Sequence, residues 1–212
     1  MIKSLVRKIK GLIFSFSSSR YWEKRYLKGG DSGYGSYGYL AEYKAEIINN
    51  FINNNSINTV IEFGSGDGNQ LKYMNYKNYI GFDVSNYIIR KCRNKYKDDS
   101  TKQFNLYSNY NNEISELTLS LDVIFHLIEE DIFIDYMKKL FNASNKYVII
   151  YSSNTNNQLT HMVKHFRNRK FTDWIEANQP DFKLIKFIKN DFPYEKLKEK
   201  GSVSDFYIYQ NL

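Results

Sequence analysis

The apolar residues along the chain follow two periodicities in alternation. From residue 39 onward, amphipathic stretches with a helical period alternate with short apolar runs typical of buried strands. Helices are predicted over residues 40–53, 86–96 and 129–141, another is predicted to begin within 70–75, and a further one lies within 158–178. Strands are predicted over residues 59–63, 79–83, 103–107, 117–121, 147–151, 183–189 and 205–210.

The order of these elements predicts the fold class. Strands and helices in alternation form right-handed βαβ units around a parallel sheet. The last two strands have no long helix between them, which predicts an antiparallel hairpin at one edge. We therefore expect an α/β fold with a doubly wound, Rossmann-like, mostly parallel sheet of seven strands. Such sheets bind ligands at the carboxyl ends of their strands, so the site is expected after strands one, two and four.

The first 38 residues differ from the rest and are predicted to be a basic, aromatic arm that ends in a glycine-rich loop; residues 39–212 form the main domain. The apolar run within residues 11–16 is too short for a secretory signal core or a membrane span. A cytoplasmic protein is expected. Apolar residues within 1–16 can share one helical face, which leaves contact with a membrane surface open.

The overall charge favours an anionic partner without choosing one. The chain has 30 Lys and Arg against 23 Asp and Glu, a formal charge of +7, and a single cysteine, Cys92, that cannot form an internal disulfide. Nucleic acid, a phosphorylated metabolite and a membrane surface all fit this balance. The basic residues are spread along the chain, so a solvated basic surface is an equally good interpretation.

The most specific motif is a strand that runs into three alternating glycines, Gly64, Gly66 and Gly68. Glycine permits positive φ and lets a ligand contact the backbone, and a following helix N-terminus can hold a carboxylate or phosphate. Asp83 ends the next strand, 19 positions after Gly64, where one carboxylate can accept both hydroxyls of a ribose. The G-x-G-x-G spacing lacks the dinucleotide fingerprint, so NAD is the second choice of cofactor, and a tight turn without a ligand is the other interpretation.

This motif resembles the class I methyltransferases that use S-adenosylmethionine (SAM), over about residues 20–212. The resemblance implies that the glycine loop holds the methionine portion, that Asp83 holds the ribose and that Val84 packs on the adenine. It does not identify the residue within 106–110 that contacts the adenine amino group. The cofactor-binding residues expected on this basis are Glu62, Gly64, Ser65, Gly66, Gly68, Gln70, Asp83, Val84, Leu121 and Tyr26.

Two residues after the fourth strand are candidates for catalysis. Methyl transfer requires an aligned acceptor and, for a hydroxyl, removal of its proton. His126 titrates near neutral pH in its ordinary state and is a candidate base. Asp122 at the strand end could orient the acceptor or contact SAM. A histidine that only packs or caps a helix is the competing interpretation of His126.

Candidate acceptor-binding residues lie in the arm and after the fifth strand. Arg167 and Arg169 carry guanidinium groups that suit phosphate or carboxylate, although a solvated basic helix is the alternative. His165 lies beside them, and Tyr21 and Trp22 lie in the arm. Two nearby histidines without a third ligand do not make a zinc site, so no metal is predicted.

Residues 21–26, 33–38 and 147–154 are similar to small methyltransferases of bacterial surface-polysaccharide clusters, including those of the capsule O-methyl phosphoramidate type. The resemblance implies methyl transfer to a small anionic acceptor, an oxygen of a phosphoramidate or of a phosphorylated or sugar precursor of capsule polysaccharide. A sugar or nucleic-acid methyltransferase and a non-catalytic SAM-binding protein are the alternatives. Nucleic acid is not favoured, because the sequence has neither an RNA-binding module nor a base-methylation motif. The oligomeric state is not predicted.

Overall fold

The computed structural model describes residues 16–158, 163–197 and 200–212, which form a seven-stranded sheet in the order β3-β2-β1-β4-β5-β7-β6. The first five strands run parallel, and β7 pairs antiparallel with both β5 and β6. The predicted fold class and its closing hairpin are confirmed. The strands are β1 Thr59–Phe63, β2 Asn78–Asp83, β3 Lys102–Leu106, β4 Ser115–Leu121, β5 Ser144–Ser152, β6 Phe182–Ile188 and β7 Asp205–Asn211.

Helices cover both faces of the sheet. They are α1 Ser18–Leu27, α2 Gly38–Asn55, α3 Asn86–Lys95, α4 Glu130–Asn142, α5 Phe171–Asn178 and α6 Tyr194–Leu197. Short 3₁₀ turns among the described residues cover Tyr34–Ser36, Gln70–Tyr73, Tyr107–Asn109 and Ile124–His126. Within the described part of the chain, no helix is both long and apolar enough to cross a membrane. The predicted membrane contact of residues 1–16 lies outside the described residues except for Phe16.

The helix predicted to begin within residues 70–75 is wrong, because only the 3₁₀ turn Gln70–Tyr73 forms there. The side chain of Asn49 in α2 accounts for the difference. It donates to the Tyr73 carbonyl at 2.8 Å and accepts from the Asn75 amide at 2.9 Å. These backbone groups would otherwise serve a helix. The glycine loop is therefore not followed by an α-helix N-terminus.

Side chains alternate between the two faces of the sheet and build two apolar layers. Val60 of β1 packs with Ile48 of α2 and Ile88 of α3 on one face. Its neighbour Ile61 packs with Leu140 of α4 on the other. This arrangement buries the parallel strands on both sides and leaves their carboxyl ends as the open edge of the domain.

Helix α1 lies across that edge. The Ser18 amide and hydroxyl donate to the Glu129 carboxylate at 2.9 and 2.5 Å, just before α4. At the other side, Glu23 accepts from the Ser85 hydroxyl, which precedes α3. The arm thus joins the segment after β2 to the segment after β4, over the region where the site is expected.

We expect Ser85→Ala to destabilise the protein by about 0.5–2 kcal/mol. The Ser85 hydroxyl caps α3 by accepting from the Ile88 amide at 3.1 Å and also anchors Glu23 of α1. Urea unfolding measures the change, and exposed Ser100→Ala is the matched control. Equal stability of the two variants would contradict this role.

Candidate active site

The glycine loop is folded back onto the end of β2. The Gly64 and Ser65 amides both donate to the Phe82 carbonyl, at 2.7 and 3.0 Å. Gly64 has φ 84°, and a Cβ there would lie 2.4 Å from Cγ2 of Val123. Glycine is therefore needed both for the backbone conformation and for direct contact between the segments after β1 and β4.

Asp83 forms a buried acceptor beside this loop. Its Oδ2 accepts from the Gly66 amide at 3.0 Å, its Oδ1 accepts from the Ser85 amide at 2.9 Å, and the residue is 6% exposed. Burial raises the pKa of the carboxyl to about 6, against the lowering effect of these amides. No cation is among its hydrogen-bond partners in the described residues. Each carboxylate oxygen can accept a further bond, so neutral hydroxyl donors suit the site.

The other predicted cofactor residues lie in different settings. Val84, beside Asp83, exposes 40% of its surface, and Tyr26 is buried with its hydroxyl 3.1 Å from the Ser32 hydroxyl. Ser65 Oγ and Gln70 Oε1 are buried, and neither has a hydrogen-bond partner among the described residues. The Ser65 side chain faces β2, because a Cβ on Gly81 would lie 2.8 Å from its Cβ.

The backbone of Gly68 accepts from the Tyr96 hydroxyl at 2.7 Å, and Leu121 belongs to the core.

Glu62 is held inside the sheet. Its Oε2 accepts from the Tyr79 hydroxyl at 2.7 Å. Burial raises the pKa of Glu62 to about 7, although the Tyr79 hydrogen bond and the nearby Lys44 oppose the rise. The first acidic residue of the motif is therefore connected to β2 through a tyrosine.

The glycine-rich part of the arm closes over the loop through Asp67, which the sequence analysis did not single out. The Asp67 carboxylate accepts from the Ser32 amide at 3.0 Å and from the Tyr37 hydroxyl at 2.6 Å. In return, the Asp67 amide donates to the Ser32 hydroxyl at 2.8 Å. Nothing in the spacing of the motif distinguishes Asp67, because its partners lie some 30 residues away in the sequence.

Asp122 joins three elements at the end of β4. Its Oδ2 accepts from the Lys44 ammonium of α2 at 2.7 Å, and its Oδ1 accepts from the Ser204 hydroxyl at 2.7 Å. The residue has a left-handed φ of 59°. Both carboxylate oxygens therefore have protein partners. Lys44 was not predicted as a site residue, although a lysine flanked at four-residue spacing by Leu40 and Ile48 on the apolar face of a helix is a detectable signal.

His126 lies in an aromatic cluster under the arm. Its Nδ1 is 2.7 Å from the His165 carbonyl oxygen, which can only accept, so Nδ1 carries the proton. The lone pair of the neutral ring is then on Nε2. Burial lowers the pKa of His126 to about 4, so the ring is neutral at pH 7. Trp22 of α1 packs edge-on against it, with ring centroids 4.9 Å apart.

The arm also contacts His165, which follows β5. The Tyr21 ring stacks on the His165 ring at 4.2 Å, and its hydroxyl is 3.2 Å from the His165 Nε2. Arg25 of the same helix lies with its guanidinium 5.6 Å from the Trp22 ring centre and pairs with Asp31 at 2.9 Å. The structure thus brings Tyr21, Trp22, His126 and His165 together at one place.

Both arginines pair with the same carboxylate oxygen, Oε2 of Glu130. The Arg169 side chain is 9% exposed; its guanidinium donates to the Leu127 and Ile128 carbonyls and pairs with Glu130 at 2.6 Å. The donors of Arg169 therefore already face protein acceptors. Arg167 donates to the Ile128 carbonyl at 2.9 Å and pairs with Glu130 at 3.3 Å, and its side chain stays 45% exposed.

Several solved structures share this fold. No protein-family model matches the chain, and no curated protein matches it. Among solved structures, it is similar to the N-methyltransferase NodS from Bradyrhizobium japonicum WM9 in complex with S-adenosyl-L-homocysteine (SAH), with a TM-score of 0.71, 10% identity and coverage of 92% of this chain and 99% of that one.

Magnesium protoporphyrin IX methyltransferase (ChlM) from Synechocystis PCC 6803 with bound SAM has a TM-score of 0.67, 10% identity and coverage of 93% and 99%. This chain has the class I methyltransferase fold. The methyltransferase domain of bacterial CtHen1 has a TM-score of 0.61, 17% identity and coverage of 80% and 97%. At these identities the likeness is one of fold, and the class I methyltransferase fold spans nearly the whole described chain.

Gly66→Ala should destabilise the protein more than Gly29→Ala. Both glycines have positive φ, 57° and 81°, so each alanine costs roughly 1–2 kcal/mol in backbone strain. A Cβ on Gly66 would also lie 2.3 Å from the Ser32 hydroxyl, whereas a Cβ on Gly29 would meet nothing within 4 Å. Urea unfolding of both variants measures the difference. Equal losses would contradict close contact between the arm and the glycine loop.

Proposed function

We propose that this protein is a SAM-dependent methyltransferase. The observation that carries the proposal is the buried Asp83 carboxylate, fixed by the Gly66 amide at 3.0 Å and open to further donors. A ribose diol is a neutral double donor and matches that acceptor. The likeness in fold to NodS and ChlM, whose structures hold SAH and SAM, supports the same choice.

The residues around the loop would contact different portions of SAM. Asp83 would hold the ribose, the exposed apolar Val84 would pack on the adenine, and the backbone of Gly64 and Gly66 would line the methionine portion. Tyr26 in α1 would cover the site from water. SAM, when bound, supplies an electrophilic methyl group on a sulfonium.

His126 would contact the methyl acceptor and take up its proton. The hydrogen bond of its Nδ1 to the His165 carbonyl leaves the Nε2 lone pair for a proton on the acceptor. Trp22 and the Tyr21–His165 stack would fix the imidazole from the arm side. Asp122 would act through Lys44 and Ser204 as a positioning residue.

Our narrower proposal is a small anionic acceptor, an oxygen of a phosphoramidate or of a phosphorylated or sugar precursor of capsule polysaccharide. The sequence resemblance to methyltransferases of surface-polysaccharide clusters motivates it. The net charge of +7 and the 45% exposed side chain of Arg167 support it. A sugar methyltransferase is the second candidate, since the aromatic cluster of Tyr21, Trp22 and His126 also suits a sugar ring.

Asp83→Asn tests the cofactor proposal. We expect the wild-type protein to bind SAH with micromolar affinity, on the order of 8 kcal/mol, and the variant to lose about 1.5–3 kcal/mol. Because burial raises the pKa of Asp83 to about 6, wild-type affinity should fall as the pH drops below 6, when the carboxylate takes up a proton. The variant should lack this step. Calorimetry from pH 5 to 8 measures both effects.

Asp98→Asn, at an exposed position, is the matched control and should bind SAH like the wild type. Unchanged SAH affinity in Asp83→Asn would remove Asp83 from the site. Binding of NAD without SAH would overturn the function itself.

The acceptor proposal is tested by a screen of phosphorylated metabolites, phosphoramidates and matched neutral sugars with SAM, read by mass spectrometry. Arg167→Gln should raise KM with a smaller effect on kcat, because an anion is bound equally in the ground and transition states. Exposed Arg90→Gln is the control.

For a hydroxyl acceptor, His126→Gln should lower kcat by roughly 10²–10⁴. For an ionised oxygen, kcat should persist. Activity on neutral sugars alone, unaffected by Arg167→Gln, would contradict the anionic acceptor.

A further inference from the structure

Lys44 is a charged residue on the buried face of α2. Leu40 precedes it and Ile48 follows it at four-residue spacing, and both are in the core. The residue is only 1% exposed, and its Nζ donates to Asp122 Oδ2 at 2.7 Å. An ammonium removed from water to this extent is costly unless its donors find acceptors.

The ammonium has donors to spare. It carries three N–H groups, and within the described residues Asp122 is its hydrogen-bond acceptor. The Tyr151 ring, 5.4 Å from Nζ, offers its face but no lone pair. Buried donors are satisfied in the great majority of cases, so the two remaining N–H groups point to an oxygen that a ligand brings.

The position of Lys44 suits one end of the proposed cofactor. Asp122 follows β4 and Asp83 ends β2, and these two strands flank β1 on opposite sides. A Cβ on Gly35 would lie 3.9 Å from the Lys44 Nζ, so the ammonium also borders the arm. The ribose acceptor Asp83 and the carboxylate that holds the ammonium, Asp122, therefore lie on either side of the strand that leads into the glycine loop.

Electrostatics favour the same occupant. Glu62, Asp83 and Asp122 are all acidic, and they would repel a carboxylate at this edge unless a cation offset them. Lys44 lies close enough to Glu62 to lower the pKa of that carboxyl against the larger effect of burial. The amino-acid portion of SAM carries both a carboxylate and an ammonium, which need one basic and one acidic partner.

We propose that the Lys44 Nζ binds the α-carboxylate of the amino-acid portion of SAM, while Asp122 holds the lysine in place. This inference rests on the proposed function and extends it to a residue of α2 outside the glycine motif. A purely structural ion pair between α2 and β4 is the competing explanation. The two differ in what Lys44 contributes to ligands with and without the carboxylate.

Lys44→Met is tested by calorimetry with two ligands. SAH contains the amino-acid portion, whereas 5′-methylthioadenosine shares its adenosine and sulfur but lacks the carboxylate and ammonium. We expect the variant to bind SAH 10- to 100-fold more weakly and methylthioadenosine within about twofold of the wild type. Exposed Lys91→Met should change neither affinity. An equal loss for both ligands, or no loss for SAH, would overturn the inference.

A second variant separates binding from folding. Removing one partner of a buried ion pair strands the other charge and destabilises the protein. Lys44→Met/Asp122→Asn removes both charges, and asparagine tolerates the left-handed φ of 59° at position 122. The double variant should show the same SAH-specific loss, with its folding checked by thermal unfolding. Wild-type affinity for SAH in this variant would overturn the inference. If the wild-type protein binds neither ligand, the proposed function fails, and the inference falls with it.

Discussion

The hydrogen bond from the Gly66 amide to the Asp83 carboxylate is the interaction on which the rest of the edge depends. It acts with the two amides that donate to the Phe82 carbonyl to fold the segment after β1 over the end of β2. The fold-back requires positive φ, and at Gly64 it also requires the absence of a Cβ, because Val123 fills that space. A buried carboxylate, a tight backbone and contact with the segment after β4 are therefore consequences of one local arrangement.

Burial of carboxyl groups at this edge costs free energy, and the cost depends on pH. The pKa values of Asp83 and Glu62 are raised to about 6 and about 7, chiefly by desolvation. A raised carboxyl pKa means that the folded state holds its proton longer than the unfolded state. The stabilising contribution is complete below pH 4 and is lost as the pH rises through 6 and 7. At neutral pH burial therefore disfavours the ionised form of these two carboxyls.

The sequence was sufficient for the sheet because its signals are local. Parallel strands buried on both faces appear as continuous apolar runs, as in residues 147–151, and glycine spacing marks the turn after β1. Other features depend on distant partners. The hydrogen bond from the Asn49 side chain to the backbone after Gln70 prevents a helix there. The ion pair with Glu130 holds Arg169 in a buried position. The link between Lys44 and Asp122 joins residues 78 positions apart, so the candidate site could be located but not completed from the sequence.

The tethers of α1 have a consequence for the order in which the protein assembles. Ser18 bonds a residue 111 positions further along the chain, and Tyr21 meets His165, which is 144 positions away. Contacts of such long sequence separation form late, because the intervening chain must first be ordered. The partners of the arm, Ser85, Glu129 and His165, all follow it in the chain. Docking of the arm across the sheet edge is therefore expected to follow folding of the segments around Glu129 and His165.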